Sequence, residues 1–91
     1  MSVRFAGQVE GHEVVLDSDE SLVVVDRLRL FIDSRLVDER KSIGGTMKMQ
    51  ATVDDRLWDV EVRSGAVIGS VKAVSVSVDG RATTALRDES G

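Results

Sequence analysis

The chain alternates between apolar and polar positions at a period of two along most of its length. Val3, Phe5, Gly7 and Val9 fall on one parity, and Arg4, Ala6, Gln8 and Glu10 on the other. That is the pattern of a strand with one buried and one solvated face. Glu10-Gly11 reads as a two-residue hairpin turn, since glycine accepts the positive φ such turns require. His12–Asp17 is the returning strand with Val14 and Leu16 inward, followed by a polar break at Ser18–Ser21. Leu22–Ile32 is the longest strand-like run, but its phase slips. Val23 and Val25 share one parity, and Leu28, Leu30 and Ile32 share the other. A one-residue slip turns every later side chain over, so a bulge is expected near Asp26-Arg27.

The same grammar continues. Asp33-Ser34 is a turn, and Arg35–Lys41 returns from it with Leu36 and Val37 at its start. After a loop at Ser42–Gly45, Met47, Met49, Ala51 and Val53 alternate with Thr46, Lys48, Gln50 and Thr52. Asp54-Asp55 turns the chain into Arg56–Arg63, where Trp58, Val60 and Val62 alternate with Leu57, Asp59, Glu61 and Arg63. A loop at Ser64–Gly69 leads to Ser70–Val78, with Val74, Val76 and Val78 inward. Asp79-Gly80 is the strongest hairpin signal; it returns through Arg81–Leu86 and leaves Arg87–Gly91 as a frayed tail. No long segment carries a 3.6-residue period. The fold class expected is all-β: an antiparallel β-sandwich, or a partly open barrel, of about 7–8 hairpin-linked strands. Residues 1–86 form one domain and 87–91 a disordered tail.

Composition sharpens this picture. Sixteen residues are Val and only 3% are aromatic, which favours a pleated surface and a thin aliphatic core. A domain this small buries roughly 60–65% of its unfolded surface, so a homodimer is a natural expectation. The net charge of −4 argues against nucleic acid, whose phosphates need a clustered basic face. There is no Cys, hence no disulfide, thiol nucleophile or thiolate metal site. No apolar run approaches the ~20 residues of a membrane helix, and Met1–Phe5 lacks a signal-peptide core. The expectations are a cytoplasmic protein with no membrane association.

Candidate chemistry is sparse. His12, the one histidine, sits beside Gly11 at a turn and has no second His or Cys as a partner, so it reads as a solvent-facing turn residue. Asp17, Asp19 and Glu20 place oxygen ligands as a calcium loop would, but Leu22 and Leu28 stand where an EF-hand needs Gly and Glu; a looser site with Asp54 and Asp55 is the alternative. Gly65–Ser70 lacks both the Lys-Ser/Thr ending and the helix of a phosphate loop. Trp58 and the Met47/Met49 pair read as core. No metal or other cofactor is expected.

Arg27-Leu-Arg-Leu-Phe-Ile-Asp-Ser-Arg-Leu-Val-Asp-Glu-Arg40, the alternating Met47–Val53 segment, Trp58–Val62 and Val74-Ser-Val-Ser-Val-Asp-Gly80 follow a definite order. A hairpin ending in Ile-Asp-Ser is followed by a polar connection, an alternating hairpin and a final Val-Asp-Gly hairpin. Over roughly residues 13–86 this resembles one repeat of the Fas apoptotic inhibitory molecule family, as well as small bacterial β proteins of the same pattern. The resemblance implies a compact antiparallel sandwich that binds other proteins and has no catalytic centre. Ser34 replaces the usual turn Gly, the chain holds one unit rather than two, and no functional residue transfers. The functional expectation is therefore a noncatalytic protein-binding or regulatory domain, with the outward row Asp59, Glu61 and Arg63 as the candidate surface. The alternative is a small-ligand carrier with a pocket near Trp58; an enzyme built only from Asp, Glu and Arg is the most distant rival.

Overall fold

A computed structural model describes residues 2–20, 25–41, 46–64, 71–81 and 83–89. The expected loops at 42–45 and 65–69 lie outside the described residues, as do Ser21–Val24. The strands are β1 (Ser2–Val9), β2 (His12–Glu20), β3 (Val25–Ile32), β4 (Arg35–Arg40), β5 (Thr46–Val53), β6 (Arg56–Ser64), β7 (Val71–Val78), β8 (Thr83–Ala85) and β9 (Arg87–Asp88). All pairings are antiparallel. One sheet runs β4-β3-β2-β1-β9 and the other β5-β6-β7-β8. The chain thus winds one four-stranded meander, crosses over, winds a second, and returns to the first sheet through β9. The protein is an all-β sandwich of two open sheets.

The period of two explains which faces meet. Phe5, Val9, Val14, Leu16, Leu28, Leu30 and Ile32 from the first sheet pack on Met49, Trp58, Val60, Val62, Val74, Val76 and Val78 from the second, with Leu86 between them. The slip foreseen near Asp26 is present. Asp19 pairs with Arg27 but Glu20 pairs with Val25, leaving Asp26 as the extra residue of a bulge. A second bulge opposes Leu30-Phe31 to Asp38 and Leu36, so Val37 is extra and β4 bends at its exposed end.

Three expectations are corrected. The polar stretch after Asp17 does not break the strand, because β2 runs on to Glu20 and buries Ser18 completely. β8 is only three residues long. Arg87–Gly91 is not wholly a tail: Ala6 pairs with Arg87 and Phe5 with Asp88, and the Glu89 N–H donates to the Arg4 carbonyl at 2.8 Å. Two residues are too short a strand to show any alternation, so no sequence period could mark β9. Its docking depends on Leu86, which is buried and whose N–H donates to the Val74 carbonyl at 2.8 Å. Gly7 leaves Leu86 the space, since a Cβ there would lie 3.0 Å from Leu86 Cδ2.

Candidate functional site

Because each meander runs up and down, β1, β3, β5 and β7 all point toward the same end of the sandwich, and four two-residue turns gather there. The turns are Glu10-Gly11, Asp33-Ser34, Asp54-Asp55 and Asp79-Gly80, and all eight residues have positive φ. This is the type I′ geometry that matches the twist of paired strands.

The turn residues and those beside them build one polar network. Asp33 closes its own sheet. Its N–H donates to the Glu13 carbonyl at 2.8 Å, and its Oδ1 accepts from the Glu13 N–H at 3.0 Å. Asp79 does the same in the other sheet, donating to the Leu57 carbonyl at 2.7 Å and accepting from the Leu57 N–H at 3.1 Å. The remaining oxygen of each aspartate takes a cation. Asp33 Oδ2 is 2.5 Å from His12 Nδ1, and Asp79 Oδ2 is 3.1 Å from Arg56 Nε. Each cation also reaches across the sandwich: His12 Nε2 meets Asp54 Oδ2 at 2.8 Å, and Arg56 meets Glu10.

The network is therefore two-fold in design. Val9-Glu10-Gly11-His12 stands where the second meander has Val53-Asp54-Asp55-Arg56, and Ile32-Asp33-Ser34-Arg35 where it has Val78-Asp79-Gly80-Arg81. Each half supplies one cation, one aspartate for that cation, and one carboxylate for the cation of the other half. The chain holds two equivalent meanders.

His12 is the main correction at the site. It is only partly open to solvent: its side chain is 21% exposed, with the ring edge-on to Trp58 at 5.6 Å between centroids. Its partners are carboxylates carried on two of the three other turns, far away in sequence. A carboxylate can only accept, so both ring nitrogens must hold protons for both contacts to form. The two hydrogen bonds raise the His12 pKa above its ordinary value, that to Asp33 more than that to Asp54. The same bond, helped by the Glu13 N–H, lowers the Asp33 pKa. In sequence Asp33, Asp79 and Glu10 read only as turn formers, Asp54 as a turn former or a ligand of a looser calcium site, and Arg56 carried no expected role. The (Ile/Val)-Asp-X-Arg pattern repeated at 32–35, 53–56 and 78–81 was the signal that could have joined the three aspartates and Arg56.

The other candidate residues separate. Asp59, Glu61 and Arg63 do share the outer face of β6, where Asp59 accepts from Gln50 at 2.9 Å and Glu61 meets Arg63 at 3.5 Å. Trp58, 1% exposed, is core. Asp17 and Asp19 lie within strand β2 rather than a loop, and Asp19 meets Arg29 at 3.3 Å. The structure does not bring that pair to Asp54, which engages His12. Among the described residues no group of three or more His, Asp or Glu is arranged to hold a metal ion, and no helix is long and apolar enough to cross a membrane.

Beside the turn network, β4 and β5 form one flank of the sandwich, each the last strand of its sheet. A cleft of about 410 Å³ opens there, lined by His12, Ile32, Leu36, Val37, Val53 and Asp54 among others. Leu36 and Val37 are 52% and 41% exposed at its lip. The two edges differ. β4 is bulged and carries the charged run Asp38-Glu39-Arg40, the marks of an edge guarded against pairing. β5 is eight residues long and pairs with β6 without a register shift. In a two-residue hairpin the residues flanking the turn bond each other, so Val53, Ala51, Met49 and Met47 bond to β6. Thr46, Lys48, Gln50 and Thr52 then hold their N–H and C=O groups outward at the edge. Comparisons with protein families, characterised proteins and solved structures return no match for this chain.

Proposed function

We propose that the protein is a noncatalytic binding domain that captures an extended segment of another protein as an added strand on β5. The observation that carries this reading is the contrast between the edges. β4 is bulged and charged, and β8 and β9 are only three and two residues long, whereas β5 is long, regular and, among the described residues, unpaired along its outer edge. An added strand gains affinity from main-chain hydrogen bonds and specificity from pockets for alternate side chains. The cleft bounded by Leu36, Val37 and Val53 is such a pocket at one end of β5. The candidate row Asp59, Glu61 and Arg63 lies one strand inward, where it bounds the surface without forming the pairing edge. The resemblance to a Fas apoptotic inhibitory molecule repeat points the same way, toward protein binding without a catalytic centre.

The test is selection of short unstructured peptides from a displayed library, followed by binding to a Lys48→Pro variant. Lys48 directs its N–H away from β6, so proline there removes an edge donor without breaking the β5–β6 ladder. Selected peptides should alternate apolar and polar residues and lose binding to the folded variant. Peptides that bind both proteins equally overturn strand addition at β5. The carrier reading has less support, because Trp58 is packed within the core; quenching of Trp58 fluorescence by a small metabolite would favour it. Sedimentation of the unmodified chain tests the remaining occupant, a second copy of β5.

A further inference from the structure

We propose that His12 is a proton-operated brace between the two sheets, closed when the imidazole carries both protons and open at the Asp54 contact when it carries one. The geometry supports this in two ways. The ring spans two turns, with Nδ1 on Asp33 of the first sheet and Nε2 on Asp54 of the second. The equivalent position in the second meander is Arg56, which makes the mirror-image pair of contacts, to Asp79 and Glu10, with a group that stays charged at all physiological pH values. One brace is permanent; the other can be released.

The surroundings determine which contact opens. Asp33 is held in place by the Glu13 N–H and N–H···O=C bonds, and its oxygen is the nearer of the two. The proton on Nδ1 therefore stays, and the one on Nε2 leaves. The Nε2 lone pair then faces the Asp54 carboxylate, a repulsive pairing of two acceptors. Other charges near the ring are those of Arg35, which lines the same cleft, and of the Arg56–Glu10–Asp79 group on the far side of the turn cluster, whereas Glu13 lies on the opposite, outer face of β2. Trp58 from β6 contributes an apolar edge. His12 and Asp54 both line the β4–β5 cleft, so release of the brace loosens one wall of it. This inference rests on the turn network and stands whether or not β5 binds a peptide.

The experiment is a proton NMR titration of the His12 ring in the intact protein, with backbone amides followed alongside and thermal melts taken at each pH. Deprotonation should be centred above the ordinary imidazole value of about 6.5. The amides of Asp54 and Asp55 should shift with the same midpoint, while those of Asp79 and Gly80 hold still. The melting temperature should fall as pH rises through that midpoint. His12→Arg should remove the fall, because Arg56 demonstrates that a guanidinium fits the equivalent place. Asp54→Asn should lower the His12 midpoint and leave the protein folded, which keeps the test decisive if the arginine variant folds poorly. A His12 midpoint at or below about 6.5, or Asp54 and Asp55 amides indifferent to the titration, overturns the proposal.

Discussion

Burial and phase decide what each side chain does for stability. Trp58 sits at the centre of the aliphatic core and Glu61, three positions on, faces out from the same strand. Trp58→Ala should cost about 3–5 kcal/mol, as large aromatic truncations do. Glu61→Ala should change stability by no more than about 0.5 kcal/mol, since its contact with Arg63 is a surface pair. Urea denaturation of both variants checks the contrast; equal losses would mean that β6 packs differently. Ser18 presents the opposite case. It is fully buried on the inner face of β2, and its hydroxyl finds no hydrogen-bond partner among the described residues. An unsatisfied buried hydroxyl costs about 1–3 kcal/mol, so Ser18→Ala should leave stability unchanged or raise it by up to about 1 kcal/mol. A loss above about 1 kcal/mol in the same assay would reveal a role for that oxygen.

The hairpin is the element that organises the molecule, and its turns do not all conform equally well to the favoured type. Gly11 and Gly80 occupy the second turn position at φ of 80° and 70° without strain. Ser34 and Asp55 hold φ of 67° and 62° in the same position, where a Cβ is disfavoured. Ser34→Gly should therefore stabilise the protein by about 0.5–1 kcal/mol, the relief of strain outweighing the entropy gained by the unfolded chain. The expected readout is a higher denaturation midpoint with an unchanged slope. The shortest element answers to a different force. β9 is held against β1 by the seating of Leu86 beside Gly7, so Gly7→Val should overpack that contact at a cost of about 1–3 kcal/mol. Exchange of the Glu89 amide, whose bond to Arg4 depends on this docking, should accelerate at the same time.

At the scale of the whole molecule, electrostatics tie the halves together and give stability a definite pH window. The His12 pKa is raised in the folded state, so its stabilisation is present below its unfolded value and disappears as pH rises through the folded one. The Asp33 pKa is lowered, so its stabilisation is present above the carboxylate range and disappears as pH falls through its folded value. Stability should peak between the two, in the mildly acidic range from about pH 5 to 6.5. Melting curves from pH 3 to 9 would show the peak, and a flat profile would contradict the network. Added salt should weaken the effect only partly, because the His12 ring is sheltered against Trp58.

The period of two is a local property, so the sequence by itself determined the all-β class, the inner and outer face of each long strand, the four hairpin turns and the bulge at Asp26. Burial of Trp58 and the outward direction of Asp59, Glu61 and Arg63 followed from the same phase. Only the tertiary structure decided how the hairpins divide into two sheets, which edges stay open, and that Arg87-Asp88 closes the first sheet. These depend on packing between segments distant along the chain, where two-residue strands and single contacts leave no period to read. His12 shows the difference most plainly. In sequence it is one titratable residue beside a glycine, with no partner in reach. In the folded chain the common direction of β1, β3, β5 and β7 brings Asp33 and Asp54 to its two nitrogens, and a turn residue becomes the link between the sheets.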